Sequence, residues 1–345
     1  MKKLFFFILL FCATSIYAQH FQSGDLYFDV DSWEAYTASV AQDDSYKSLT
    51  EVTIPSTVEY AGETYTVTKI GGYAFNDCQS LTTVNFPNTL TEIHGWAFYK
   101  CLSLSSITIP DGLTYIGEFA FHDCKALTSA TLPNSITDMQ QGIFCRTALT
   151  SITLPNNLTQ LKGRMFEDCK SLTSVTLPNT ITRIGSQAFY GCSALTSIYI
   201  PNSVKEIDHN AFQNCDRLTS VTIPYGVQKM NNTIFYGCDN LTSITIPTSV
   251  TEMGDGILGE CNALHSIIIQ ANSIKEFCHS DLNQQICEKS WRYGHVVHLF
   301  YVNGVELSGH VVIPEGTTKS TPKLSTMSLT LIKYHLSKSL QLSHP

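Results

Sequence analysis

The sequence predicts a solenoid, a stack of short units whose strands form parallel β rungs, closed at its N-terminal end by a β cap. The first observation is a proline period. Prolines recur at a step of 23 residues, with one step of 22, at Pro87, Pro110, Pro133, Pro155, Pro178, Pro201, Pro224 and Pro247. The second observation is that apolar residues keep the same period between these prolines. A unit of this length cannot bury its own apolar face, so neighbouring units must stack.

Each unit repeats the same elements in order. In the unit at 172–192, Leu172 precedes a strand in which Thr alternates with β-branched residues, and Pro178 ends that strand because it cannot donate a backbone hydrogen bond. Two aliphatic residues, an Ala-Phe pair and a cysteine follow. The leucine column consists of Leu81, Leu104, Leu127, Leu149, Leu172, Leu195, Leu218, Leu241 and Leu264. The phenylalanine column consists of Phe75, Phe98, Phe121, Phe144, Phe166, Phe189, Phe212 and Phe235, with Leu258 in the last place.

The repeat at 200–224, IPNSVKEIDHNAFQNCDRLTSVTIP, resembles the BspA-like subclass of the leucine-rich repeat family, which has 23-residue repeats. The resemblance covers about residues 48–270 in about nine copies. It implies a leucine-rich repeat solenoid of the α/β-type horseshoe class, with mostly parallel β rungs and short turns. It also implies a secreted or cell-surface protein of anaerobic bacteria or protists, which binds ligands of host or neighbouring cells and is not an enzyme.

The first 18 residues read as a secretory signal peptide. Lys2 and Lys3 precede the apolar run 4–12, and Ala18 offers a small residue for cleavage, which leaves Gln19 as the mature start. A membrane anchor is the weaker alternative because the apolar run is short for a bilayer. A lipoprotein reading would use Cys12, but Phe11 is bulky for the residue before a lipidated cysteine.

Residues 19–47 are predicted to form the N-terminal β cap. The segment 58–68 contains an Ala-Gly turn between alternating residues, and we expect a β-hairpin that covers the first rung. Such a cover is needed because the end of a solenoid exposes apolar core and an unpaired strand edge. The short step between Phe144 and Leu149 predicts only a tightened loop near Cys145.

The repeat pattern stops after Gln270. Residues 271–316 read as an irregular segment followed by a partial repeat with a hairpin, and Cys278 and Cys287 there either form a disulfide or stay free. Residues 317–345 hold lysines but no acidic residue, glycine or phenylalanine. Two explanations stay open for this tail: a frameshift near Thr318 that truncated a longer protein, or a natural basic tail.

Composition and motifs exclude several function classes. Asp and Glu outnumber Lys and Arg by 29 to 21, a net charge of −8, which disfavours nucleic acid as a partner. No phosphate-binding loop, nucleophile elbow or zinc-binding helix motif occurs, and the Cys and His residues of 278–298 match no known metal-site spacing. We therefore expect no enzyme activity, no cofactor and no metal. The cysteines of the repeat column have parallel side-chain directions, so we expect buried free thiols instead of disulfides.

Two surfaces are candidates for ligand binding. The outward positions of the predicted strands carry Ser or Thr in nearly every repeat, interrupted by Tyr199, and either bind a ligand or serve as solvated strand surface. The position two residues before the column phenylalanine holds Tyr73, Trp96 and Phe119 in three successive repeats. These three residues predict an aromatic stripe, which either binds a partner or packs beneath the cap.

The sequence thus favours an exported binding protein, most simply one for adhesion to a protein of the extracellular matrix or of a host or neighbouring cell. A glycan-binding accessory module that uses the aromatic stripe is the alternative. A truncated, non-functional product is a further alternative if the frameshift is real. In each case the mature chain is not integral to a membrane.

Overall fold

The computed structural model describes residues 19–270 and the short strands 297–298 and 310–311. The predicted signal peptide, the Cys278–Cys287 pair and the tail 317–345 lie outside the described residues. Within 19–270 the chain forms a β-solenoid of about nine turns. This part of the chain contains no α-helix, and its one helical element is a 3₁₀ turn at Asp44–Ser48. The predicted solenoid of parallel rungs and short turns is therefore confirmed.

The first side of the solenoid consists of strands that the sequence predicted, most of them ahead of a proline, although the predicted strand at 197–199 before Pro201 does not form. They are β4 (Glu51–Thr53), β7 (Thr83–Asn85), β9 (Ser106–Thr108), β11 (Ser129–Thr131), β13 (Ser151–Thr153), β15 (Ser174–Thr176), β18 (Ser220–Thr222), β20 (Ser243–Pro247) and β22 (Ser266–Gln270). These strands pair in parallel and in register in four groups: β4 with β7, β9 with β11, β13 with β15, and β18 with β20 and β22. In the last group Ser220, Ser243 and Ser266 stand side by side. The second residue of each strand points into the core, which leaves the residues on either side of it outside.

A second ladder, which the sequence reading missed, follows the proline turn. It begins with β6 (Glu63–Ile70) and continues with two-residue strands: β8 (Glu92–Ile93), β10 (Tyr115–Ile116), β12 (Asp138–Met139), β14 (Gln160–Leu161), β16 (Arg183–Ile184), β17 (Glu206–Ile207), β19 (Lys229–Met230) and β21 (Glu252–Met253). Its second residue is the aliphatic residue that the sequence assigned to a core column. Each two-residue strand therefore has one buried and one outward side chain.

The third side is a stack of turns around the Ala-Phe pair. The amide of Phe75 donates to the carbonyl of Ala97 in the next repeat at 2.7 Å, and the same bond recurs along the solenoid. The column phenylalanines are fully buried, and their rings stack with centroids 5.0 to 6.0 Å apart. Together with the leucine column they form one continuous core along the solenoid.

The column cysteines are buried and free, as their spacing predicted. From Cys101 onwards the thiol donates to the carbonyl of the phenylalanine in the preceding repeat, with Sγ to O distances of 2.9 to 3.2 Å. Each thiol thus links two adjacent repeats.

The N-terminal segment adds three strands before the repeats: β1 (His20–Ser23), β2 (Leu26–Ser32) and β3 (Thr37–Val40). They form an antiparallel meander, and β3 pairs in parallel with β6. Strand β5 (Thr57–Tyr60) pairs with β6 around Ala61 and Gly62, both with positive φ, so a hairpin stands where the sequence predicted one. Tyr46 is buried and extends the phenylalanine column, with its ring centroid 5.2 Å from that of Phe75.

Both ladders are interrupted at the one 22-residue step. Neither β11 and β13 nor β12 and β14 are paired, while the strands on either side of each gap pair in register. Thr147, not Cys145, takes the place of the column cysteine, since its amide donates to the carbonyl of Phe144 as that of Cys124 does to Phe121. The chain is shortened just after it, where Ala148 alone separates Thr147 from Leu149. Farther along, β23 (Val297–His298) pairs antiparallel with β24 (His310–Val311).

Candidate ligand-binding surface

The three stripe residues occupy a backbone position that is left-handed in every repeat. Tyr73, Trp96 and Phe119 have φ values of 60°, 61° and 54°. The equivalent residues have positive φ as well: Gly142, Arg164, Gln187, Asn210, Thr233 and Gly256. Left-handed backbone disfavours residues with a Cβ by about 1–2 kcal/mol, and glycine or asparagine is the usual occupant. Aromatic residues are thus placed where the backbone alone would favour glycine.

The stripe is a stack that runs along the solenoid axis. The rings of Tyr73 and Trp96 are parallel to within 1°, with centroids 6.1 Å apart, and those of Trp96 and Phe119 are 4.5 Å apart at 26°. Tyr73 is 46% exposed, whereas Trp96 and Phe119 are half-buried. None of the three belongs to the hydrophobic core or packs against it. The stripe is therefore an outer cluster of its own.

A second pair of rings borders the stripe. Tyr99 and His122 stack at 5.2 Å with an interplanar angle of 2°, and both rings are nearly perpendicular to that of Trp96. Both residues stand one place after a column phenylalanine, which is the only signal that the sequence gives of this pair. Burial lowers the pKa of His122 below its ordinary value, against the opposing charge of Asp123 3.5 Å away. His122 is therefore a neutral ring in this cluster at neutral pH.

The hydroxyl face has the predicted orientation. The outward Ser and Thr positions from Thr83 to Thr222 are exposed, while those of the last two described repeats are half-buried. Tyr199 stands 67% exposed in this face. It is separate from the aromatic stripe, which lies on the side of the stacked turns.

From Arg183 to Glu252 the outward residues of the second ladder alternate in charge and form ion pairs with one another. Arg183 donates to the buried Asp208 through two nitrogens at 2.9 and 3.0 Å, and Lys229 lies 3.5 Å from both Glu206 and Glu252. At the other end Lys69 pairs with Glu92 at 3.5 Å. Because these charges are paired within the face, it offers little net charge to a partner.

An aromatic cluster in the N-terminal strands escaped the sequence reading. Trp33 and Tyr36 are each 43% exposed and contact Tyr65, with ring centroids 5.8 and 5.6 Å away. Tyr36 is also left-handed, with a φ of 50°. The turn between β2 and β3 brings Trp33 and Tyr36 together, and no repeat pattern marks it in the sequence.

The family follows from the repeats. Residues 44–173 and 163–285 match the model of the BspA type leucine-rich repeat region, in six copies. The chain belongs to this family. No curated protein matches the chain. Within the part that the structure describes, no helix is both long and apolar enough to cross a membrane.

Several solved structures are similar to this BspA type chain. One is a leucine-rich cell surface protein from Faecalibacterium prausnitzii, at 23% identity over 76% of this chain and 98% of that chain, with a TM-score of 0.36. A second is a leucine-rich repeat protein from Bacteroides ovatus, at 21% identity over 80% and 99%, with a TM-score of 0.28. A third is a leucine-rich repeat protein of T. pallidum, at 22% identity over 71% and 91%, with a TM-score of 0.37. Likeness at this level identifies no ligand.

Proposed function

We propose that this BspA type repeat protein is exported and binds a protein of the extracellular matrix or of a host or neighbouring cell surface. The aromatic stripe of Tyr73, Trp96 and Phe119 is its main apolar contact. The observation that carries the proposal is the placement of three stacked, partly exposed aromatic side chains on left-handed backbone outside the core. Aromatic residues at the centre of an interface supply much of its binding energy.

The backbone of this turn forms without these three side chains. Gly142 and Gly256 occupy the same position without a side chain, and the hydrogen bonds that stack this turn on the next repeat come from the backbone. Backbone strain that the core does not need is a reason to look for a function at that place. A partner that covers the stripe provides one.

The ring geometry favours a protein over a glycan as the ligand. A sugar ring stacks on an open aromatic face, but both faces of Trp96 are turned towards Tyr73 and Phe119. The stripe therefore presents mostly ring edges, which suit contact with aliphatic and aromatic side chains. If the chain is instead a glycan-binding accessory module, a sugar ring would stack on the outer face of the Tyr73 ring.

The hydroxyl face with Tyr199 would extend the contact of a large protein ligand. Its Ser and Thr side chains can donate and accept hydrogen bonds, but their near-uniform pattern confers little specificity. Protein interfaces of standard size bury about 800 Å² on each partner. Several repeats must therefore contribute to the contact, and Tyr199 is the feature that distinguishes the middle of this face.

The test is binding of the exported chain, residues 19–345, to immobilised fibronectin, fibrinogen and a glycan panel at physiological salt. Tyr73→Ala removes the most exposed stripe ring and leaves the core intact, and we expect it to weaken binding to a matrix protein at least about tenfold. Tyr225→Ala is the matched control, a comparably exposed tyrosine away from the stripe.

Three outcomes would count against the proposal. Loss of binding in Tyr199→Ala with unchanged binding in Tyr73→Ala would move the site to the hydroxyl face. Binding to glycans alone, sensitive to Tyr73→Ala, would favour the accessory module. A folded chain that binds nothing on either panel would favour the truncated, non-functional product.

A further inference from the structure

The short repeat leaves a gap in the row of loops that joins the column cysteines to the column leucines. In the other repeats two residues stand between them, as Lys125 and Ala126 do between Cys124 and Leu127. In the short repeat Ala148 alone stands between Thr147 and Leu149. The chain therefore takes a shorter path here, and the loops of the two neighbouring repeats project beyond it on either side.

The result is a shallow cleft of about 460 Å³, which we call the notch. Its lining residues come from three successive repeats: Asp123, Lys125, Arg146, Thr147, Ala148, Asp168, Lys170 and Ser171. Lys125 and Lys170 occupy equivalent positions in the flanking loops, two repeat steps apart, which corresponds to about 10 Å. Thr147 and Ala148 form the floor between them.

The notch combines free cations with carboxylates. Lys125 and Lys170 are exposed, and neither forms an ion pair within 19–270. Arg146 stands between the two aspartates in the row of left-handed residues, with its Nε 3.6 Å from an oxygen of Asp168. Three cations against two carboxylates give the lining a formal charge of +1.

We propose that the notch binds an acidic sugar residue, a pyranose that carries one carboxylate. The two lysines would bind the carboxylate, since a charged donor forms the stronger hydrogen bonds. Asp168 would accept hydrogen bonds from ring hydroxyls, and Ser171 supplies a further hydroxyl. This role does not depend on the protein-binding role of the stripe.

The mixture of charges selects this class of ligand. A polyanion such as a phosphorylated or sulfated chain would meet the two carboxylates, and a neutral sugar would leave both lysines unused. A ligand with one anionic group and several hydroxyl donors matches the two lysines and Asp168. The volume also lies within the range of small-ligand sites, about 300–1,000 Å³.

The experiment follows amide and lysine signals of the exported chain by NMR while an oligosaccharide is added. The probes are oligosaccharides ending in glucuronic acid or in N-acetylneuraminic acid, their neutral counterparts, and an acidic peptide. We expect saturable shifts of Lys125, Ala148 and Lys170 with an acidic saccharide only. The two acidic probes distinguish the sources of the same carboxylate chemistry.

Two variants test the site directly. Insertion of one serine between Thr147 and Ala148 restores the usual loop length, fills the notch and should abolish binding. The pair Lys125→Gln and Lys170→Gln should weaken binding at least about tenfold, the loss of one charge-assisted hydrogen bond. Lys205→Gln, an exposed lysine away from the notch, is the matched control.

Unchanged saccharide affinity in the insertion variant, with the solenoid still folded by circular dichroism, would overturn the proposal. Equal binding of neutral and acidic saccharides would overturn it as well. Binding of the acidic peptide in place of the saccharides would assign the notch to a protein partner and not to a glycan.

Discussion

The ring of Phe119 lies across the backbone of Gly142. A Cβ built at position 142 would come within 2.2 Å of Cε1 of Phe119. The stripe of three aromatic residues therefore ends on a glycine that leaves room for its last ring. Gly142 also has a φ of 65°, which glycine adopts without the strain that a side chain causes.

We predict that Gly142→Ala displaces Phe119 and destabilises the chain by about 1–3 kcal/mol, the sum of left-handed strain and the ring contact. Gly24→Ala is the matched control, because Gly24 has a similar φ of 61° and open space around its Cβ position. Urea unfolding measures the stability of both variants, and near-ultraviolet circular dichroism reports the stripe. Equal losses of stability in the two variants would show that the contact with Phe119 contributes nothing.

The buried thiols predict a loss of stability at alkaline pH. Burial raises the pKa of Cys78 and Cys261 to about 12 and that of Cys169 to about 11. Above a pH of about 8.5 the unfolded chain loses thiol protons that the folded chain keeps. The unfolded state then binds fewer protons, so the free energy of unfolding falls as the pH rises from about 9 towards 12.

The measurement is the urea midpoint as a function of pH. It should be nearly constant between about pH 7 and 8.5 and fall above that. Cys169→Ala removes one buried thiol. Above about pH 9 the free energy of unfolding of this variant should fall less steeply, by up to about 1.4 kcal/mol per pH unit. An identical slope in this variant would contradict a protonated, buried thiol at that position.

The ion pairs beside the second ladder include one buried carboxylate, that of Asp208. Asp208 accepts two hydrogen bonds from Arg183 and one from Asn231 at 3.0 Å, and it is 5% exposed. We expect Asp208→Ala to cost about 1–3 kcal/mol in urea unfolding, because partners of a buried group lose their acceptor. Glu252→Ala, which removes an exposed partner of Lys229, should change stability by less than about 0.5 kcal/mol. Similar losses in both would argue against a special role of Asp208.

The His122 ring predicts a response to acid. Because burial lowers its pKa, the unfolded chain takes up a proton at a higher pH than the folded chain does. The unfolded state then binds more protons, so the free energy of unfolding falls as the pH drops through about 6.5. The aromatic replacement His122→Phe should remove this component of the pH dependence between about 7 and 5. An unchanged dependence would show that other groups cause it.

The core was predictable from sequence because its residues recur with a fixed period. Leu172, Phe189 and Cys192 belong to columns that any stacked arrangement must bury. The second ladder was not predictable in this way, since a two-residue strand such as Glu92–Ile93 is too short for alternation to appear. Its aliphatic residue was correctly placed in the core, but the pairing that places it there was missed.

The candidate site, too, was only partly predictable from the sequence. The stacking of Tyr73, Trp96 and Phe119 follows from their equal places in successive repeats. Their left-handed backbone does not, because arginine, glutamine and threonine occupy the same position elsewhere and none of these signals positive φ. In the sequence, the notch was marked only by the one residue that the short repeat lacks. Its shape depends on Thr147 taking the cysteine position, which the spacing around Cys145 concealed.

The most direct test of the proposed binding role is hydrogen–deuterium exchange of residues 19–345 with and without a saturating matrix-protein ligand. We expect binding to slow exchange in the turns at 71–78, 94–101 and 117–124, which carry the stripe and its bordering rings. The strands of the hydroxyl face away from these turns should change less. Protection confined to the hydroxyl face around Tyr199, with no change in the three turns, would contradict the account.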